Sequence, residues 1–150
     1  MTIWNSMPYE RLRQWHDFRK TLSTKKLDQA VKDVCHLWSY APYVKYYLTW
    51  DSLENWPNPW ELIYENVYCD LAKALGIMYT LYLTDHKPAV DIRIFKDNES
   101  MEYYNLVYVQ NGKYVINFIH DEIVNKTQIK KSLELKKIIN ISDLKLDRLH

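Results

Sequence analysis

At 150 residues, 47 % hydrophobic and 15 % aromatic, the chain has the length and apolar content of one ordinary domain with a full core. Its 20 basic and 19 acidic residues leave a formal net charge of +1, too little to draw it onto nucleic acid, and two glycines are too few for a Gly-rich phosphate cradle. Two cysteines, no basic-then-apolar leader and no long uninterrupted apolar run suggest a cytoplasmic chain without disulfides or membrane spans.

Pro8 opens a helical pattern, with Leu12, Trp15, Phe18 and Leu22 on one face. A second helix, capped at Ser23 or Thr24, is predicted from Leu27, Ala30, Val31, Val34, Leu37, Trp38 and Ala41, and ends before Pro42. Residues 42–57 carry Tyr43, Tyr46, Tyr47, Trp50 and Trp56, too aromatic for a solvated linker, so an ordered connection packed on the core is expected. Such rings also suit partner surfaces, which makes these five the candidate binding residues for a protein partner.

Asn58, Pro59 and Glu61 form a capping box that starts a third helix. With no glycine or proline in Glu65-Asn66-Val67-Tyr68, that helix is predicted to run unbroken through Cys69 and to stop at Gly76. Strands are predicted over 77–84, 90–95, 103–110 and 113–119, the last two joined by Asn111-Gly112 with Tyr108 opposite Val115. The tail from Asp121 to His150 has seven basic and five acidic residues, with weak helical signals at Thr127 and Ser142. It reads as a solvated amphipathic segment, and its 130-KKSLELKK-137 run as a solvated face. The predicted class is α+β: N-terminal helices packed on a small antiparallel sheet of about four strands, in a single domain.

The run 50-WDSLENWPNPWELIYENVYCDLAKALGIMYTLYL-83, followed by 103-YYNLVYVQNGKYVINF-118, resembles the core of the transglutaminase-like cysteine peptidases, above all the bacterial transglutaminase-like cysteine proteinases. The resemblance covers roughly residues 50–118. It implies a cysteine-peptidase-like fold with Cys69 as nucleophile at a helix start, a histidine among residues 103–105 and an aspartate near Asn117 or Phe118. No histidine stands at 103–105, and neither Asn117 nor Phe118 is an aspartate. Placed about eleven residues into a continuous helix, beyond the reach of the macrodipole, Cys69 becomes a small packing residue.

A rival catalytic set is Cys69 with His120 and Asp121, although neighbouring residues at a strand end face opposite ways. His16, His36, His86 and His150 show no metal-binding spacing, so no metal or cofactor is expected. The short, Lys/Ile/Asn/Tyr-rich, glycine-poor composition is also similar to that of proteins of tailed bacteriophages. That resemblance implies a non-catalytic virion component or assembly factor, partnered by other virion or assembly subunits.

Overall fold

The computed structural model describes residues 2–144 and 146, so His150 and part of the tail lie outside the described residues. The chain forms α1 (Pro8–Ser23), α2 (Leu27–Ser39), α3 (Pro59–Glu65) and α4 (Asp70–Tyr82). Five strands follow: β1 (Val90–Asp97), β2 (Tyr103–Val109), β3 (Tyr114–Ile119), β4 (Glu122–Val124) and β5 (Leu133–Asn140). They make one antiparallel sheet in the order β4-β3-β2-β1-β5.

The expected α1 and α2 are present, with α2 capped at Lys26 rather than at Ser23 or Thr24. The capping box at Asn58 also forms: the Asn58 N–H donates to Glu61 Oε1 at 2.9 Å, and the Glu61 N–H returns a bond to Asn58 Oδ1 at 2.8 Å. The continuous third helix does not. It ends at Glu65, because Asn66 takes a left-handed conformation (φ 58°, ψ 40°). Asparagine tolerates that region better than other non-glycine residues, so it can stop a helix where glycine usually would. Arg11 reinforces the break. Its Nε and one terminal nitrogen donate to the carbonyls of Ile63 and Tyr64 at 2.7 and 2.6 Å, satisfying orphan acceptors of the last turn of α3.

A new helix, α4, then starts at Asp70 and runs through Gly76 to Tyr82, replacing both the predicted stop and the predicted strand over 77–84. Gly76 serves close approach instead. A methyl group built on it would overlap ring atoms Cη2, Cζ2 and Cζ3 of the fully buried Trp38 in α2. The same contact is fixed by Thr80, whose Oγ1 accepts from the indole N–H of Trp15 and of Trp38, each at 3.1 Å, and donates to the Gly76 carbonyl. Three helices thus meet at one hydroxyl.

The 103–119 hairpin has the expected register, with Tyr108 opposite Val115 and Val107 opposite Ile116. Its loop is longer than a two-residue turn. Val109 pairs with Tyr114, and Gln110, Asn111 and Gly112 all have positive φ. The tail departs most from expectation, since it supplies β4 and β5 instead of an amphipathic segment, raising the sheet to five strands. The signals at Thr127 and Ser142 mark single 3-10 turns, Lys126–Gln128 and Ile141–Asp143. Ile139 of β5 is fully buried beside Ile92 of β1, which is why this part of the tail belongs to the core.

The inner face of the sheet (Ile92, Ile94, Val107, Val109, Ile116, Ile139) joins the helices in the main core. The outer face holds a smaller cluster of Phe95, Leu106, Tyr108, Val115 and Val124, against which Ile129 and Leu133 pack. Among the described residues no helix is long and apolar enough to cross a membrane.

Candidate functional site

The break at Asn66 moves Cys69 to the N-cap of α4, with extended backbone (φ −88°, ψ 179°) and its carbonyl accepting the Lys73 N–H at 2.9 Å. The macrodipole argument against a reactive thiol therefore fails, because Cys69 stands at the positive end of a 13-residue helix. Access is the obstacle instead. Cys69 is 5 % exposed, and its Sγ accepts from the Leu48 N–H at 3.4 Å and lies 3.9 Å from the Leu48 carbonyl. Leu48 belongs to the 42–57 connection, which is held to the segment before α4 by a parallel bridge between Tyr43 and Tyr68 and by the Val44 N–H donating to the Tyr68 carbonyl at 2.9 Å.

Beside the N-terminus of α4, β2 and β3 present Asn105 and Asn117. Asn117 has a positive φ of 74° where the β3–β4 register shifts, and its amide donates to the Asp70 and Asn105 carbonyls at 3.2 and 2.9 Å. It ties the helix start to the strand pair. These residues line a cleft of about 260 Å³, together with Lys73, Tyr103 and His120. Lys73 is partly buried, and loss of solvent lowers its pKa; its ammonium lies 5.7 Å from the Tyr43 ring.

His120 and Asp121 are not assembled with Cys69. The Asp121 carboxylate accepts from His36 Nδ1 at 3.1 Å and from the Tyr40 hydroxyl at 3.2 Å, while its backbone N–H donates to Ser39. The His120 ring packs edge-on against Tyr40. The two residues thus pin the β3–β4 turn to the end of α2. Of the five aromatic binding candidates, Tyr43, Tyr46 and Tyr47 are exposed, and Trp50 is partly buried beside Lys137 and Tyr103. Trp56 is 3 % exposed, with its indole N–H on the Thr49 carbonyl at 2.9 Å, and so is a core residue rather than a partner-facing one. Nothing in the sequence marks Leu48 as the partner of Cys69, since a backbone contact 21 residues away leaves no pattern. Among the described residues no group of three or more potential ligands could hold a metal.

The arrangement of four helices and a five-stranded antiparallel sheet has solved counterparts. The fold is LapG-like. Calcium-bound Legionella pneumophila LapG superposes with a TM-score of 0.68 at 14 % identity, over 87 % of this chain and 76 % of that one. A second Legionella pneumophila LapG structure gives 0.67 at 14 % identity over the same shares. The EGTA-treated form gives 0.64 at 13 % identity, over 87 % of this chain and 77 % of that one. At 13–14 % identity the likeness shows the fold, the α+β, cysteine-peptidase-like arrangement of helices and antiparallel sheet expected from the sequence. No protein-family model and no curated protein matches the sequence.

Proposed function

We propose that this chain uses a transglutaminase-like fold for non-covalent protein binding rather than for cysteine-dependent acyl transfer. The observation that carries the reading is the surroundings of Cys69: its sulfur bonds only to the Leu48 backbone among the described residues, the strand residues beside the α4 N-terminus are Asn105 and Asn117, and the cleft's Lys73 and His120 lie against Tyr43 and Tyr40 instead. Nucleophilic catalysis at a thiol needs a base in hydrogen-bond reach to take its proton. Asparagine has no basic nitrogen to do so. The exposed Tyr43, Tyr46 and Tyr47 offer amphipathic rings on the connection that covers the thiol, the kind of side chain that carries binding energy at protein interfaces. A structural or assembly role, as in a phage particle, is one setting for such a protein; it rests on composition alone.

One observation favours the enzyme reading. Cys69 sits at the N-cap of α4, the helix-start position that the family resemblance implies for a nucleophile.

Alkylation of the native chain separates the two. Cys35 is an internal standard, since it is also buried and burial pushes its thiol up to about 11. We expect both cysteines to react slowly with iodoacetamide until the chain is unfolded in urea, and Cys69→Ala to fold and keep its binding. Rapid selective labelling of native Cys69, or peptide hydrolysis that Cys69→Ala abolishes, would overturn the proposal.

A further inference from the structure

Strand β5 is the open edge of the sheet. It pairs with β1 on one side, and among the described residues no second strand pairs with it; at its two ends the Leu133 N–H donates to the Lys130 carbonyl at 3.2 Å and the Asn140 N–H to the Asp143 carboxylate at 2.9 Å, which leaves the stretch around Leu135 and Ile138 open. At eight residues it is as long as β1, whereas the opposite edge strand, β4, has three. An edge of this length is a template for another strand.

Its side chains say which strand. Lys137 pairs with Ile94 and Leu135 with Phe95, so Lys136 is an extra, bulged residue. The bulge brings Leu135 and Ile138, which oppose Phe95 and Arg93, onto the same outer face, where they are 43 % and 39 % exposed. The stretch 130-KKSLELKK-137 has four lysines and one glutamate. Lys136 is paired with Glu134 and Lys130 with Asp97, while among the described residues Lys131 and Lys137 have no carboxylate partner. The self-pair that would cover both apolar side chains is disfavoured. An antiparallel self-pair that sets Leu135 against the other copy's Ile138 also sets Lys136 against its Lys137, twice, and like charges directly opposite repel. The lysines that discourage self-pairing attract the opposite sign.

We propose that β5 is a docking edge for an extended acidic polypeptide segment of a partner, which adds as a sixth strand, lays apolar side chains on Leu135 and Ile138 and places carboxylates by Lys131 and Lys137. The proposal deepens the binding role by naming a class of partner; Lys137, whose ammonium donates to the Trp50 carbonyl at 3.5 Å, joins this edge to the 42–57 connection, and the peptide test below reads binding whether or not Cys69 is active.

The test uses the full chain and two fluorescent eight-residue peptides, one alternating Glu with Val and one alternating Lys with Val. Fluorescence polarisation should detect the acidic peptide and not the basic one, and raising NaCl from about 50 to about 500 mM should weaken binding. Amide exchange should slow across residues 133–140. The double substitution Lys131→Glu and Lys137→Glu should lower affinity about tenfold or more, two charge contacts having been inverted. If that variant does not fold, the wild-type salt and peptide series decide. Equal binding of both peptides, no binding, protection centred on the α4 cleft, or dimerisation through β5 would each overturn the proposal.

Discussion

At the level of single side chains, Asn66 does more to shape the site than any residue in the cleft. Its left-handed backbone ends α3, frees Val67 and Tyr68 from the helix and lets Cys69 become a cap, while its side-chain amide donates to the Trp4 carbonyl at 3.0 Å. A β-branched residue is strained at that φ by about 1–3 kcal/mol, whereas glycine adopts it freely. Asn66→Val should therefore lower the urea midpoint well below that of Asn66→Gly, which loses only the amide bond. Equal midpoints for the two variants would mean that the backbone conformation at Asn66 is not what separates α3 from α4. The break carries neither glycine nor proline: asparagine also reaches the left-handed region, and the carbonyls of the final turn are met by Arg11, 52 residues away from Ile63, so no local pattern marks it.

Among the elements, the contact of α2 with α4 shows the opposite error. Gly76 has the local signature of a helix stop, yet its use is tertiary: without a Cβ it lets the Trp38 ring press against the α4 backbone. Replacing glycine by alanine inside a helix normally gains about 1 kcal/mol in propensity. Overpacking a core costs about 1–3 kcal/mol, and a methyl that overlaps three ring atoms belongs at the high end. Gly76→Ala should thus be net destabilising, with a lower melting temperature and a changed near-UV signal from Trp38. A more stable variant would show that the indole has room to move. Helix starts with local chemistry, such as the Asn58 box, could be found from sequence, as could the hairpin register, because both are written within a few residues. Strand β5 could not, since its alternating Lys, Leu and Ile match a surface helix equally well and only pairing with β1, some forty residues earlier, decides.

For the molecule as a whole, the tail completes the fold rather than decorating it. Removing residues 133–150 would strip β1 of one of its two partners and expose the inner-face residues that pack with the fully buried Ile139. Loss of a buried Ile side chain alone costs about 2–5 kcal/mol, a large part of the roughly 5–15 kcal/mol that holds a domain together. A chain ending at Ser132 should show a much lower urea midpoint or no cooperative transition by circular dichroism. A midpoint near that of the full chain would return the tail to the surface role its composition suggests. The candidate site follows the same logic: position 69 and the two strands were identifiable from the order of motifs, while the cover over the thiol, the position of Asn117 and the commitment of Asp121 to His36 all depend on how distant segments meet.

That cover has a kinetic meaning. With Cys69 5 % exposed and the Leu48 N–H on its sulfur, reagent meets the thiol at its intrinsic rate only in an opened state, and the observed rate is that rate multiplied by the fraction of time the site is open. Cys69 is thereby a built-in clock for one local opening, and its labelling rate, set beside that of a free thiol of the same basicity, reads out the free energy that holds residues 42–57 shut.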